Sequence, residues 1–513
     1  METETIVKHS DVPMPPFAAA PPVVWAAAVA VALVSGWLAL GPLEGIPHVT
    51  DEVAYTLQSK LFAAGTRFGP VPDNESMWML PFWVSSGPGH SPFPIGWPLL
   101  LALGERLGFA AFVNPALNAL MPPILYRIGA AVGGARLGVC AALAIACSPG
   151  VLLMGASRMA HTSVLVALGL LMVTVLERQW SFRRVMVGGL MAAYVVLARP
   201  FDAALLAAPL VLVGFRSMEW KHRPIWLGVP AAAAAGVLVD NWWMTGSLFE
   251  FPMSAWYDQW QGRTGCNRLG FGPDVGCAPT LGSFGHTVPK AMALAQEAWA
   301  RYDALLLGVP GGTLVAAVGA WRLGARRGLV WVALVVVGYA LYWSPGRAYG
   351  ARFWHPMYLV VPVALAGALT LVPFRVAAVV CVGASAVGIR AILPDLGAGY
   401  WCVDGSLRDA LVEEGITDGV VFLQADGRRS EPWSSLGVDD FSCDPMLEAG
   451  DAWAIADPTR MNGGLQFRHA LRDADDTRAF MERFHPGQAA YTVEHDVAND
   501  ARTIRYLGVF PSR

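Results

Sequence analysis

The feature that most limits what this chain can fold into is a series of long apolar runs joined by short connections, four of them basic. Each run approaches the length that an apolar helix needs to cross a bilayer, about 20 residues. Read by hydropathy, about eleven spans follow, at 22–42, 111–132, 136–156, 161–178, 184–198, 201–215, 224–244, 303–321, 328–343, 353–372 and 374–393. Only 15% of the 513 residues are charged and 55% are hydrophobic, whereas soluble domains carry about 25% charged residues. The expected fold class is therefore an α-helical polytopic membrane protein.

The short basic connections hold Arg136, then Arg178, Arg183 and Arg184, then Arg216, Lys221 and Arg223, then Arg322, Arg326 and Arg327. All four groups fall on one side if eleven spans start from a cytoplasmic tail, residues 1–21, as the positive-inside rule requires. The transmembrane region is then 22–393. Loops 43–110 and 245–302, connection 344–352 and region 394–513 fall on the outer side. The segment PIGWPLLLALGERLG would reverse this pattern if it spanned. It is short and begins among Pro92, Pro94 and Pro98, so it is read as an interfacial helix. The multi-pass chain is expected in the plasma (inner) membrane. A net charge of −3 with no long basic tract gives no reason to expect a nucleic-acid partner.

Cys266 and Cys277 share one outer loop, and Cys402 and Cys443 share the outer C-terminal region. Two local disulfides in an oxidising compartment are expected. No cysteine–histidine spacing indicates zinc. The last 120 or so residues become charged and lose their long apolar runs. SLRDALVEEG and TRAFMERF read as helices, and GVVFLQA, DAWAIAD, AAYTVEH and TIRYLGV as strands. Region 394–513 is thus a small mixed α/β domain on the extracytoplasmic side.

The unusual polar residues of the membrane half gather at the outer ends of spans. Asp51-Glu52 follow the first span, with Tyr55 and Lys60 beyond and His90 later in that loop. Arg158 and His161 lie in SRMAH, and Arg199 and Asp202 in ARPFD. Asp240 and Asn241 end a span, and His286 and Lys290 follow in the next outer loop. Arg347, Tyr349 and Arg352 lie in PGRAYGARF. A water-filled cavity there, with carboxylates and cations, can hold an anionic lipid phosphate and a sugar.

These pieces resemble the GT-C glycosyltransferases, in the protein O-mannosyltransferase and aminoarabinose-transferase branch. They are most similar to its bacterial dolichyl-phosphate-mannose mannosyltransferase-like group. The resemblance is carried by DEVAY, by SPFPIGWPLLLALGERLG followed by NPALNAL, by SRMAH and ARP, and by YGARFWHPMYLVVP. It implies a polyprenyl-phosphate-linked sugar as donor and a glycan, lipid or protein as acceptor. Asp51 is implied as the base, beside Glu52, with basic residues on the lipid phosphate. Asn114 stands where that branch has an arginine, and His161 and Thr162 where it has an aspartate. The phosphate clamp is therefore sought among Arg158, Arg199 and Arg352. An Asp base with no covalent intermediate implies inversion at the anomeric carbon. No cofactor is implied; a divalent metal, used by some relatives, is not required by the scheme.

Other readings of the same residues compete. Asp51-Glu52 can simply start a helix. Arg199 and Asp202 can form a structural ion pair, and His161 can cap or pack. Tyr349 and Trp354 read as interfacial anchors, His286 and Lys290 as solvated loop residues, and Glu105 and Arg106 as headgroup-facing. For the whole chain the alternatives are a transporter or flippase for lipid-linked sugars and a noncatalytic scaffold. A transporter favours repeated halves and midplane polar residues, and neither is evident.

Overall fold

The computed structural model describes residues 20–71, 82–84, 87–278, 280–397, 400–403, 405–426, 465–469, 474–496 and 501–511. The first apolar run forms α1 (Pro22–Leu40), with proline in its first turn, where the missing N–H removes no helical bond. The polar loop after it folds into α2 (Thr50–Ala63). The segment PIGWPLLLALGERLG becomes α3 (Gly96–Leu107), about 18 Å long at 1.5 Å per residue. That is too short for a hydrocarbon core of about 30 Å.

After α4 (Val113–Asn118) comes α5 (Met121–Ala146), which is broken at Gly133 and Gly134. Gly134 has φ 84° and ψ 176°, a conformation essentially reserved for glycine. The chain reverses there. A Cβ on Gly129 would lie 2.9 Å from Gly138 Cα, and one on Gly138 would lie 2.5 Å from the Tyr126 carbonyl oxygen. The runs 111–132 and 136–156 are the two arms of this hairpin, packed backbone to backbone. The second arm continues through α6 (Pro149–Ala156), which meets α7 (His161–Glu177) at a bend of 118°.

The remaining helices of this half are α8 (Phe182–Ala198), α9 (Pro200–Ser217, with a π-helical turn at Ala203–Ala207) and α10 (Arg223–Thr245). They continue with α11 (Pro252–Gln261), α12 (Val288–Leu307), α13 (Gly312–Arg322) and α14 (Arg326–Ala340). A 3-10 segment, Arg352–Leu359, leads into α15 (Val361–Leu369), and α16 (Phe374–Gly397) follows.

Among the described residues five helical stretches are long and apolar enough to cross a membrane, and the bent pairs α6/α7 and α12/α13 would raise this to seven. Eleven expected runs exceed that number for structural reasons. α5 holds two of them; α8 and α14 have only 17 and 15 residues; and run 353–372 begins as a 3-10 segment.

The basic connections converge at one end. Arg127 and Arg184 both bind Glu177, Arg136 donates to the Val372 carbonyl at 3.2 Å, and Arg322 donates to the Gly367 carbonyl at 2.8 Å. The Arg127–Glu177 pair is buried and had no signal in the sequence reading.

The C-terminal region holds α17 (Ser406–Glu413), β1 (Gly419–Asp426), β2 (Leu465–His469), α18 (Ala474–Phe484), β3 (Ala489–Asp496) and β4 (Ala501–Val509). The sheet order is β2-β1-β3-β4, with β1 parallel to both neighbours and β3–β4 antiparallel. Alternation along β1 splits its side chains between two layers. Val420 and Phe422 pack with Phe480 and Met481 of α18. Val421 and Leu423 pack with Phe467, Val493, Leu407 and Leu411, and with Val53, Leu57 and Leu61 of α2. DAWAIAD and the expected Cys402–Cys443 bridge lie outside the described residues. The Cys266–Cys277 bridge is present. β2 was not anticipated.

Candidate active site

The amino end of α2 is tied down by Glu52. At the third helical position its Oε2 accepts hydrogen bonds from the backbone N–H groups of His48 (2.9 Å) and Val49 (3.1 Å), satisfying donors that a helix start leaves orphaned. The same oxygen accepts from the Tyr349 hydroxyl at 2.8 Å, and Oε1 accepts from the Arg158 N–H at 2.6 Å. One carboxylate, 1% exposed, thereby joins the start of α2, the α6–α7 turn and the connection after α14.

Asp51, one residue earlier, points about 100° away around the helix. It is 8% exposed. Its ion pair is with Arg352, whose Nη1 lies 3.3 Å from Oδ1. Among the described residues the Nε and Nη1 of Arg352 have no hydrogen-bond partner, and the guanidinium lies 5.2 Å from the Phe353 ring centre. The two acids of the pair therefore differ: among the described residues Glu52 has four donors, while Asp51 has a single loosely held cation.

The other candidate arginines are engaged. Arg158 donates to Thr56 Oγ1 at 3.2 Å and to the Gly45 carbonyl. Arg199 binds Asp202, donates to the Tyr339 hydroxyl at 2.8 Å and lies 2.7 Å from His161 Nε2. Tyr339 in turn donates to Asp202. The ion-pair reading of Arg199 and Asp202 holds, inside a closed four-residue network. Arg347 is drawn to Glu297 at 2.8 Å.

Aromatic side chains wall the Asp51–Arg352 pair. Tyr55 packs on Phe93 at 4.6 Å, and Tyr257 packs on Trp343 at 5.6 Å. Tyr55, Tyr257 and Tyr342 all lie within electrostatic reach of both Asp51 and Arg352. Burial, reinforced by Asp51, pushes the Tyr55 hydroxyl far up, and burial does the same to Tyr257. Both stay neutral donors. Behind them a cleft between α12 and α14 is lined by Ala291, Leu294, Ala298 and Val336 and ends on Tyr339, Tyr342 and Phe353.

Several expected placements change. Tyr349 and Trp354 are buried, not interfacial anchors. His286 is buried, stacked on Phe271, with Nε2 donating to the Ala340 carbonyl at 3.0 Å. Lys290 folds back onto the carbonyls of Ser283, Phe284 and Gly285. Arg106 donates to the Ala63 carbonyl at 2.9 Å, and Glu105 accepts from Ser59 at 3.4 Å, so both brace α2. Asp240 pairs with Arg67, and Asn241 donates to the Leu248 carbonyl. His90 donates from Nδ1 to the Pro88 carbonyl at 2.8 Å, and burial pushes it down to about 4. Lys60 lies in the last turn of α2.

Residues that the sequence reading missed include Tyr257, Tyr339, Tyr342, His355 and Tyr400. Tyr400 accepts at its hydroxyl from the Tyr349 N–H at 2.6 Å, and its carbonyl lies 3.1 Å from His48 Nδ1. The signal for three of them is the aromatic run YALYWSPGRAYGARFWHP, from which the sequence reading draws only Arg347, Tyr349 and Arg352 as site candidates. No group of three or more His, Cys, Asp or Glu placed to hold a metal occurs among the described residues.

Comparison with solved structures places this architecture. ArnT from Cupriavidus metallidurans bound to undecaprenyl phosphate superposes with a TM-score of 0.54 at 13% identity, over 94% of this chain and 97% of that one. The fold is ArnT-like. Apo ArnT from the same organism gives 0.52 at 13% identity, over 94% and 96% of the two chains. ArnT is an aminoarabinose transferase of the GT-C class. No protein-family model and no curated protein matches the sequence. The helical part with its small mixed sheet thus has an ArnT-like architecture, and the anticipated GT-C resemblance holds at the level of fold.

Proposed function

We propose that this protein is a membrane glycosyltransferase that moves a sugar from a polyprenyl-phosphate donor to an acceptor hydroxyl on the extracytoplasmic face. The observation that carries this is the unequal treatment of two adjacent acids, one saturated and one left facing a partly unpartnered arginine. Asp51 takes the proton of the acceptor hydroxyl as that oxygen attacks the anomeric carbon. The bond to phosphate breaks on the opposite face, so configuration inverts. The leaving phosphate gains charge, and the unpartnered N–H groups of Arg352 are suited to receive it. Neutral Tyr55 and Tyr257 can donate to the same charge. Glu52 is a positioning residue in this scheme. The α12–α14 cleft, lined by Ala291, Leu294, Ala298 and Val336, also takes in Ala351 and Phe353, the chain neighbours of Arg352, which supports placing the first part of the donor's lipid chain there.

The gathering of polar side chains at the end opposite the basic connections supports an outer active site in the plasma membrane. A disulfide in loop 245–302 supports the same sidedness. The test is mass spectrometry of lipid-linked and cell-envelope glycans from cells with the protein, without it, and with Asp51→Asn. A sugar modification that vanishes in the second and third strains is expected. Unchanged glycans in the deletion strain would end the transferase reading. Loss that Asp51→Asn fails to reproduce would remove the base assignment alone.

A further inference from the structure

His161 and His355 form a second polar pair beside the Asp51–Arg352 site. A guanidinium has donors only, so the His161 Nε2 that faces Arg199 Nη1 at 2.7 Å presents its lone pair. His161 is therefore neutral and carries its proton on Nδ1. That N–H is enclosed and has no partner, in a residue 4% exposed. His355, 2% exposed, likewise has an enclosed Nε2 without a partner. The two rings lie 6.5 Å apart at 85°. Buried ring nitrogens without partners cost free energy comparable to a lost hydrogen bond. Two of them together, one a fixed donor, fit hydroxyl groups, which both donate and accept.

The neighbouring carboxylates are already engaged. Glu52 has four donors, Asp202 is held by Arg199 and Tyr339, and Asp51 faces Arg352. A cationic amino sugar would enter beside Arg199 and Arg352 with no unengaged counter-ion among the described residues. Resting on the glycosyltransferase reading, we propose that the transferred sugar carries no positive charge and that His161 and His355 bind its hydroxyls.

The test is binding to the full-length protein in nanodiscs. The probes are undecaprenyl phosphate and its mannosyl, galactosyl and 4-amino-4-deoxyarabinosyl conjugates. At least one neutral conjugate should bind about tenfold tighter than the bare lipid, the worth of a net hydrogen bond or two. The amino-sugar conjugate should bind no tighter than the bare lipid. His355→Phe should erase the neutral-sugar gain to within about twofold and leave bare-lipid affinity unchanged, which also shows that the variant is folded. His355→Gln, which keeps a donor and an acceptor, should retain part of the gain. Tightest binding by the amino-sugar conjugate overturns the proposal, as does a gain that survives His355→Phe, or no gain for either neutral sugar. Wild-type protein that fails to bind bare undecaprenyl phosphate defeats the donor reading itself, and the sugar reading with it.

Discussion

Replacing Glu52 by Gln separates position from chemistry in the acidic pair. The glutamine can keep one oxygen where Glu52 Oε2 accepts from His48, Val49 and Tyr349, which turns its NH2 toward the Arg158 N–H. One charge-assisted hydrogen bond, worth about 1.5–3 kcal/mol, is lost, and a buried N–H is left unpaired at a further cost of about 1–3 kcal/mol. The opposite rotamer loses three partners instead of one. A destabilisation of about 2.5–6 kcal/mol follows. Asp51→Asn leaves the Glu52 hub intact and removes an ion pair at 3.3 Å whose partners are only 13% and 11% exposed; its cost is bounded by that of breaking a buried pair, about 3–5 kcal/mol, and it should leave the start of α2 tied down. Its turnover should fall about 10²–10⁴-fold, the usual contribution of a general base.

The assay is thermal unfolding of both variants, with amide exchange of residues 49–53 and glycosyl transfer measured on the same preparations. Glu52→Gln should melt early and exchange fast at the start of α2. Asp51→Asn should keep wild-type exchange at the start of α2 and fail in transfer. A Glu52→Gln protein as stable as wild type would refute the hub assignment. Near wild-type turnover in Asp51→Asn would refute the base.

Three further outcomes are expected. Arg352→Ala should weaken undecaprenyl phosphate binding about 10–100-fold, and Arg158→Ala, which breaks bonds to Thr56 and Gly45, should lower the melting temperature. The stability contributed by His90 and His485 should fall between pH 6.5 and about 4 and then level. His90 and His485 are pushed down by burial to about 4, His485 further by Arg468, so the unfolded chain takes up their protons first; each contributes at most about 3 kcal/mol, and His90→Gln should flatten the slope measured by pH-dependent melts. Leu411→Ser, in the C-terminal domain, should speed amide exchange in α2 at least tenfold while α10 is unchanged, and Leu411→Met should restore protection.

Much of the helical half was legible because bilayer-scale apolar runs and basic connections are properties of composition. The hairpin in α5 was legible as two runs around Arg136, and its tight turn follows from Gly133-Gly134. The polar residues that form the candidate site were legible as a group because they sit at the outer ends of runs. Their division of labour was not. Glu52 acquires its role from N–H and O–H donors 106 and 297 residues away, which no local pattern records. Tyr339 and Tyr342 read as the apolar end of a span, and only Arg199 and Arg352, folded beside them, make them polar partners. β2 escaped notice because its Gln466 and Arg468 are polar yet buried, satisfied by a 2.6 Å bond to each other.

The C-terminal domain reads as an appendage in sequence, but α2 gives it a second role. In a helix, residues 51 and 55 share a face, and residues 53, 57 and 61 share another about 200° away. Asp51 and Tyr55 face the site, while Val53, Leu57 and Leu61 complete the layer under β1, β2 and β3. Burying each of those side chains is worth about 1.5–3 kcal/mol, more than a loosely held ion pair at the helix start. Tyr400 adds a polar tie at the same end through Tyr349 and His48. The direction in which Asp51 points is therefore set from behind, by the sheet, as much as by the transmembrane helices in front. A helix of 14 residues is marginal alone in water. Packed between the sheet and the Glu52 hub, it becomes rigid enough to hold Asp51 in place.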